Sequence, residues 1–281
     1  MIIQYSKFIT DNFCELQYLG KVLDVLKTEL CDDYNIVIKC MDEPQFPEYI
    51  ENKKNVVIYL SDELGRKYDW FDKCDIIFKT YGNNLMCDYK KIFPIPCGYN
   101  APKIWGNIPN TYIGELYNKK PLSERKYDIF YSGQRAPSRL SFINNLYKIE
   151  NKFNNIIQIT NGWKQGFNQQ EYYNIMNETK IALVPNGAVI PESFRYFESF
   201  ESGCVVITTY PIKSPVRNLW YYQDSPAIFL QDWNELTEDL IKEILNDDVL
   251  NKYDVKNLEY YKNKISSTST AYYMLEKIKN I

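Results

Sequence analysis

Residues 179–210 read TKIALVPNGAVIPESFRYFESFESGCVVITTY, and this stretch decides the fold class. It contains an apolar run at 181–185, a Gly-containing loop at 186–190, a helical pattern that opens at Pro191, and then Gly203 before a second apolar run. Proline suits the first turn of a helix, and glycine suits the position just after its end. Two apolar runs that flank a helix predict a strand–helix–strand unit with buried, parallel strands.

The same alternation extends along the whole chain. Short apolar runs predict strands at residues 2–5, 35–39, 56–60, 75–81 and 93–97, and in the second half at 128–131, 156–160, 180–185, 204–209 and 227–230. Amphipathic patterns predict helices at residues 16–30, 137–148, 169–178, 192–202 and 233–245. Strands that alternate with helices indicate an α/β protein in which helices cover parallel sheets.

Two series of strands predict two domains. The segment at 118–126, NKKPLSERK, is polar, charged and Pro-containing, and we expect the boundary there. The predicted division is a Rossmann-like domain at 1–120, a second Rossmann-like domain at 121–255, and a helical tail at 256–281 that could pack back on the first domain.

Composition excludes several function classes. The chain has 281 residues, 45% of them apolar and 25% charged, as in ordinary globular proteins. The net charge of -3 comes without a dominant basic block, which argues against a nucleic-acid partner. Histidine is absent, which removes Ser-His-Asp and Cys-His catalysis and the usual histidine base. A general base must therefore be Asp or Glu, or less often Lys, Tyr or Cys.

The cysteines predict a reducing compartment. There are 7 of them, an odd number, and no two are spaced as CxxC, so free thiols explain them better than disulfides or zinc ligands. The sequence opens without a secretory leader pattern and has no apolar run of membrane-spanning length. We expect a cytoplasmic protein, and peripheral contact with a membrane stays open.

The helix after the 181–185 strand carries the strongest chemical signal. Its N-terminus follows the carboxyl end of a predicted parallel strand, where open α/β sheets bind ligands and where free amides favour a phosphate. Arg195 and Glu198 are three positions apart and share one face of this helix. A guanidinium can hold a diphosphate, and a carboxylate can accept hydrogen bonds from ribose hydroxyls. The alternative is an ordinary surface ion pair that contributes only about 0.3–0.5 kcal/mol.

This segment resembles the donor-binding core of GT-B glycosyltransferases, and most closely that of the exostosin-like group. The residues that carry the resemblance follow one another in the family's order: Val184, Pro185, Gly187, Glu192, Ser193, Arg195, Glu198, Gly203 and Cys204. The resemblance implies that Glu198 holds the ribose and Arg195 the pyrophosphate, with the loop residues Pro185, Asn186 and Gly187 beside the donor. One departure is Ile190, because the more widespread GT-B pattern has a glutamate eight positions before the second one.

A second match lies at 127–139, YDIFYSGQRAPSR, which resembles the first strand and phosphate-side loop of the same domain. Gly133 would allow close backbone approach, and Arg135 and Arg139 would supply positive charge near the leaving group. The likeness covers about residues 125–235, and the first half of the chain matches only as a general α/β pattern.

The resemblance implies two Rossmann-like domains whose parallel sheets face a central cleft, with the donor in the C-terminal domain and the acceptor in the N-terminal one. It implies transfer of a sugar from a nucleotide-diphosphate sugar to a hydroxyl of a glycan or lipid-linked acceptor, with no metal and no other cofactor. The partners would be the donor and a glycan or glycolipid. A nucleotide-sugar epimerase or hydrolase, and a non-catalytic module that binds sugar nucleotides, remain as alternatives.

Two further loops follow predicted strands. Asn161 and Trp163 come after the 156–160 strand, where the indole could stack on a base or pack under the loop. Asp62 and Glu63 come after the 56–60 strand, where a carboxylate could deprotonate an acceptor hydroxyl, although acidic residues there could equally cap a helix. We favour Glu63 as the base, because aspartate is the better cap, with Asp11 in the loop after the first strand as the next candidate.

Overall fold

The structure is a computed structural model of the chain and describes residues 1–6, 9, 15–40, 49–82, 89–99, 119–162, 165–187, 192–209 and 219–281. The chain divides into two compact units, each assembled from several segments. The first comprises Met1–Asn107, Ser214–Gln223 and Lys264–Ile281, and the second comprises Ile108–Lys213 and Asp224–Asn263. The segment in which we expected the boundary, 118–126, therefore falls inside the second unit, and the tail at 256–281 is divided between the two.

The first unit is built on a parallel sheet whose strand order follows the chain. Its described strands, in the spatial order β1-β2-β3-β4-β5, are β1 (Ile2–Tyr5), β2 (Tyr34–Cys40), β3 (Lys54–Leu60), β4 (Ile76–Lys79) and β5 (Ile92–Pro94). The long strands β2 and β3 are mostly apolar and are buried along all but their first residue, as is typical of parallel strands covered on both faces. Helix α1 (Leu16–Glu29) connects β1 to β2.

The second unit is built on a parallel sheet whose strand order departs from the chain order. Its described strands are β6 (Tyr127–Gln134), β7 (Asn155–Thr160), β8 (Thr179–Val184), β9 (Val205–Thr209) and β10 (Ile228–Leu230), in the spatial order β10-β9-β8-β6-β7. Its described α-helices are α2 (Leu140–Ile149), α3 (Gln169–Asn177), α4 (Phe194–Glu201), α5 (Glu238–Ile244) and α6 (Asp247–Tyr260).

This strand order creates a switch point between β6 and β8. From β6 the chain crosses to β7 on one side, and it then returns to place β8 on the other side of β6. The connections that leave β6 and β8 therefore run in opposite directions, which leaves a crevice at the carboxyl ends of these two strands. Open α/β sheets bind their ligands in this kind of crevice.

The core of the second unit lies between its sheet and the helices. Phe142 of α2 contacts the ring of Tyr131 in β6 at a centroid distance of 4.6 Å and the ring of Trp233 at the same distance. Ile181 and Val205, on neighbouring strands, are fully buried in the same cluster. This packing holds β6 and β8 in place beneath the crevice.

The last helix, α7 (Ser267–Ile278), packs on α1 in the first unit. The hydroxyl of Tyr18 in α1 donates to the carbonyl of Ile265 at 2.9 Å and shares a hydrogen bond of 2.6 Å with the hydroxyl of Thr270. The segment at the end of the chain is thus tied to the first unit by buried polar contacts as well as by apolar packing.

The predicted alternation of strands and helices is confirmed. Each of the ten predicted strands is present, and its ends differ from the predicted ones by no more than three residues. The predicted helix at 137–148 begins with a 3₁₀ turn at Pro137–Arg139, and the one at 233–245 is broken into a 3₁₀ turn at Trp233–Glu235 and α5. Among the helices of the described ranges, none has both the length and the apolar character needed to cross a bilayer.

Candidate functional site

Arg195 lies at the start of α4, beside the carboxyl end of β6. Its Nε and Nη2 both donate to the carbonyl oxygen of Ser132, at 3.1 and 2.7 Å. The guanidinium also lies over the ring of Tyr131, 5.2 Å from the centroid. These contacts fix the plane of the guanidinium at the switch point, and they leave its Nη1 without an acceptor among the residues that the structure describes.

Gly133 makes this position of Arg195 possible. A Cβ atom at residue 133 would lie 2.5 Å from Nη2 of Arg195 and 2.9 Å from the hydroxyl oxygen of Tyr131. Both separations are far below van der Waals contact, so a larger residue would displace the guanidinium. The close approach that we expected at Gly133 is made by a side chain of the protein itself.

Two buried hydroxyl groups near α4 have no hydrogen-bond partner within the described part of the chain. They belong to Tyr131, which is fully buried, and to Ser193, the residue that precedes α4. Ser193 occupies the N-cap position, yet its side chain does not cap the helix. Buried polar groups are normally satisfied, so an unsatisfied one calls for an explanation, such as a functional role or a bound water or ion.

Glu198 lies one turn after Arg195 and is only 6% exposed. The hydroxyl of Tyr172 in α3 donates to its Oε2 at 3.0 Å. Burial, and then the negative charge of Glu198, raise the pKa of Tyr172 well above its ordinary value, so the phenol keeps its proton and remains a donor. Glu198 is buried and bonds Tyr172, while Arg195 bonds the Ser132 carbonyl, so the two residues are not an ordinary exposed surface pair.

The other two arginines differ from each other in burial. Arg139 is 6% exposed, and it donates from Nε to the carbonyl of Asn186 and from Nη1 to the carbonyl of Gln134, each at 3.0 Å. It thereby links the loop after β8 to the end of β6. Arg135 is exposed, and its guanidinium has no hydrogen-bond partner among the described residues.

Of the remaining predicted donor residues that the structure describes, all but Asn161 lie near the carboxyl ends of β6 and β8. Pro185 and Glu192 are buried, Asn186 and Gly187 are half-buried, and Asn161 is exposed after β7. Trp163 lies outside the described residues, as do Ile190 and Pro191. The structure thus brings the residues of the α4 motif and of the β6 loop together, while Asn161 follows the strand on the far side of β6 from β8.

The predicted base candidates belong to the first unit. Asp62 is fully buried, and both of its carboxylate oxygens accept from the amide of Arg66, at 3.2 and 3.0 Å. Its Oδ2 also lies 3.4 Å from Nζ of the buried Lys79. These are the contacts of a turn cap and a buried ion pair. Glu63 is half-buried, and Asp11 lies outside the described residues.

A carboxylate that we did not single out from the sequence lies at the same sheet edge. Glu15 directly precedes α1, is 2% exposed, and accepts a hydrogen bond of 2.8 Å from the hydroxyl of Ser61 on its Oε1. Burial raises the pKa of Glu15 from 4.5 to about 7, with hydrogen bonds from Ser61 opposing this shift and the charge of Glu63 adding to it. Sequence reasoning missed Glu15 because an acidic residue at a helix start is ordinary, and its burial depends on distant residues.

The fold matches solved glycosyltransferase structures over nearly the whole chain. An alpha-glucosyltransferase solved with UDP and a 13-mer DNA containing a central A:G mismatch is 12% identical, with 99% of both chains covered and a TM-score of 0.58. A glycosyltransferase from Rickettsia africae ESF-5 is 13% identical, with 99% and 97% covered and a TM-score of 0.54. An alpha1,3-fucosyltransferase is 11% identical, with 99% and 90% covered and a TM-score of 0.51.

No protein-family profile matches the chain, and neither does any curated protein at the level of sequence. The structural likenesses, together with the two parallel sheets, show a GT-B fold. At such low identities they show the fold alone.

Proposed function

We propose that this chain is a glycosyltransferase that moves a sugar from a nucleotide-diphosphate sugar to a hydroxyl of a glycan or lipid-linked acceptor. The observation that carries the proposal is the placement of Arg195 and the buried Glu198 one turn apart on α4, with Arg195 held at the carboxyl end of β6, at the switch point between β6 and β8. The GT-B fold by itself does not determine the activity, because one fold hosts many activities, whereas these side chains have a specific chemistry.

The diphosphate of the donor is proposed to bind at the start of α4. The bidentate contact of Arg195 with the Ser132 carbonyl leaves Nη1 for a phosphate oxygen. The buried hydroxyls of Tyr131 and Ser193 are donors that a phosphate would satisfy, and the first amides of α4 add to the positive potential. The exposed guanidinium of Arg135 could add a second cation as negative charge develops on the leaving diphosphate.

The ribose is proposed to bind Glu198. The hydroxyl of Tyr172 holds Oε2 of Glu198 in a fixed orientation, and a carboxylate in such a position can accept hydrogen bonds from ribose hydroxyls. Tyr172 is then a positioning residue, because it fixes the orientation of the Glu198 carboxylate without touching the donor itself. Arg139 has a similar indirect role, because it holds together the two loops that border the crevice.

Several finer assignments belong to this proposal. Likeness to the exostosin-like group rests on the α4 motif, and independence from a metal rests on the arginines that would offset the charge of the diphosphate. A cytoplasmic location is supported by the described cysteines, 31, 40, 74, 97 and 204, which are all free thiols. A glycan or glycolipid acceptor and peripheral contact with a membrane remain expectations of the resemblance.

A panel of UDP-, GDP-, CMP- and dTDP-sugars tests the proposal by thermal shift, followed by calorimetry with the best ligand. We expect one nucleotide to raise Tm, and we expect the sugar to be transferred when an acceptor is added. Turnover without any acceptor would instead indicate an epimerase or a hydrolase, and binding without turnover a non-catalytic module. A chain that binds none of these nucleotides contradicts the proposal.

Two substitutions test the assignment of the donor residues. Arg195→Ala should weaken binding of the nucleoside diphosphate by about 1.5–3 kcal/mol, the range for hydrogen bonds to charged groups, and should leave nucleoside affinity almost unchanged. Glu198→Gln should weaken the diphosphate and the nucleoside by similar amounts, because the ribose is common to both. Equal losses for both ligands in the Arg195 variant would show that Arg195 does not bind a phosphate.

A further inference from the structure

The end of β6 that holds Arg195 pairs with β7 and no longer with β8. In the described sheet, the pairing of β6 with β8 ends at Phe130, whereas its pairing with β7 continues to Gln134. Ser132 lies in the part of β6 that pairs with β7 alone, and its carbonyl accepts two hydrogen bonds from Arg195. The position of this carbonyl therefore depends on its contacts with β7.

Gln158 in β7 is the residue that faces Ser132. The two residues are direct partners in the register of β6 and β7, and the hydroxyl of Ser132 donates to Oε1 of Gln158 at 3.0 Å. Ser132 is buried and Gln158 is half-buried, so the hydrogen bond is partly shielded from water. Ser132 is thus held by β7 through its side chain, while its carbonyl holds Arg195.

A second donor fixes the side-chain amide of Gln158. The backbone amide of Phe167 donates to the same Oε1 at 2.9 Å. Because a backbone N–H can only donate, the oxygen of the Gln158 side chain, and not its nitrogen, must face Phe167 and Ser132. A Cβ at Gly166 would lie 2.4 Å from Oε1, so the loop before α3 closes tightly on this oxygen.

We infer that Gln158 is a positioning residue of the diphosphate site and sets the place of Arg195 through Ser132. The inference rests on the proposed function, and it adds a residue that neither the α4 motif nor the β6 loop includes. All the residues in it belong to the second unit. The donor itself is bound by Arg195, and Gln158 acts only through the Ser132 carbonyl.

The planar shape of the guanidinium makes this position matter. Nε and Nη2 of Arg195 both donate to one carbonyl oxygen, so the place of that oxygen sets the plane of the group. The plane in turn sets the direction in which Nη1 donates to a phosphate oxygen. Hydrogen bonds weaken as the donor moves out of line with the acceptor, so a displaced Ser132 carbonyl should weaken the phosphate contact.

Calorimetry on the full-length chain with UDP, GDP and dTDP, each compared with its nucleoside, tests the inference. Ser132→Ala removes the hydroxyl but keeps the carbonyl and the hydrogen bond between Gln158 and Phe167. It should weaken binding of the nucleoside diphosphate about 2–10-fold, the effect of one lost hydrogen bond, and should leave nucleoside affinity unchanged. Ser141→Ala, at an exposed site on α2, is the matched control and should bind as the wild type does.

A double-mutant cycle tests whether Gln158 and Ser132 act together. Gln158→Leu removes the acceptor and should weaken diphosphate binding at least as much as Ser132→Ala. Adding Ser132→Ala to the Gln158→Leu variant should have no further effect, because their shared hydrogen bond is already lost. Gln231→Leu, at an exposed site after β10, is the control for this substitution. If thermal unfolding shows that Gln158→Leu does not fold, Ser132→Ala decides the question alone.

The outcomes separate the two proposals. A wild type that binds none of the three diphosphates overturns the proposed function and the role of Gln158 with it. A wild type that binds one of them, and loses affinity on Arg195→Ala, supports the proposed function. The role of Gln158 is then overturned alone in any of three cases: Ser132→Ala keeps the wild-type affinity, it weakens the nucleoside and the diphosphate equally, or the effects of the two substitutions on diphosphate binding add.

Discussion

Arg195 can take its position only because residue 133 is a glycine, although 62 positions separate the two residues in the sequence. The guanidinium occupies the space that a side chain at 133 would need, and there it donates to the carbonyl of Ser132. A single methyl group at this position therefore acts on the proposed diphosphate site and not only on local packing.

We predict that Gly133→Ala lowers affinity for the nucleoside diphosphate and leaves nucleoside affinity nearly unchanged, because the new Cβ would displace Nη2 of Arg195. Calorimetry with both ligands measures the two affinities. Gly20→Ala is the matched control, because a Cβ added at Gly20 meets no atom within 4 Å outside its chain neighbours and the backbone of its own helix. Alanine is also about 0.5–1 kcal/mol more favourable than glycine in the interior of a helix such as α1. Unchanged affinity for the nucleoside diphosphate in the Gly133 variant would show that Arg195 can move without weakening phosphate binding.

Glu15 makes the stability of the protein dependent on pH. Its pKa is raised from 4.5 to about 7 in the folded state, so the folded protein keeps a proton that the unfolded chain has already released. The folded state binds more protons between these two values, and its stability therefore falls as pH rises from 4.5 to 7. The full shift corresponds to about 3 kcal/mol.

We predict that Glu15→Gln removes this cost. Its free energy of unfolding should equal that of the wild type near pH 4.5 and should exceed it by up to about 3 kcal/mol at pH 8. Urea unfolding of both proteins across this pH range gives the difference directly, and other titrating groups cancel in the comparison. A difference that does not change with pH would mean that Glu15 has an ordinary pKa.

At the scale of elements, α7 is held to α1 by the buried hydroxyl of Tyr18. This hydroxyl donates to the Ile265 carbonyl, just before α7, and shares a hydrogen bond with the side chain of Thr270 in the first turn of α7. The space around the ring is also closed, because a Cβ at Gly98 would lie 2.3 Å from it.

We predict that Tyr18→Phe destabilises the first unit by about 1–3 kcal/mol, the cost of leaving buried polar groups unsatisfied. Tyr272→Phe on α7 is the control, since its ring is 57% exposed and its loss of a hydroxyl should change stability little. Thermal unfolding of the two variants measures both effects. Similar melting temperatures for the two would place the stabilisation of this helix pair in apolar packing alone.

At the scale of the whole molecule, residues 119–126 are grouped with the second compact unit. Leu122 is fully buried in the core, and its amide donates to the carboxylate of Asp254. The guanidinium of Arg125, which is 4% exposed, donates to the carbonyls of Lys120 and Thr179. At least one charged side chain of this polar segment, that of Arg125, is buried and used for internal hydrogen bonds.

We predict that the first cuts in limited trypsin digestion fall outside residues 119–126. The backbone of this segment must break its hydrogen bonds and unfold locally before a protease can bind it. Leu122→Ala is the comparison, since a cavity at this buried site costs about 2–5 kcal/mol and should make the segment accessible. Mass spectrometry of the earliest fragments identifies the cut sites. Early cleavage of the wild type in this segment would favour the linker that its composition predicts.

Local pattern in the sequence was sufficient to determine the α/β class, the ten strands and the helix that carries Arg195 and Glu198, because alternating and helical periodicities are properties of neighbouring residues. Only the tertiary structure decided the strand order that makes the switch point. The same holds for the space that Gly133 leaves to the guanidinium of Arg195, and for the burial of Glu15 against Ser61, 46 positions away. Each of these depends on which distant segments meet, and the free energy of burying a charge or closing a contact is set by that meeting and not by the local sequence.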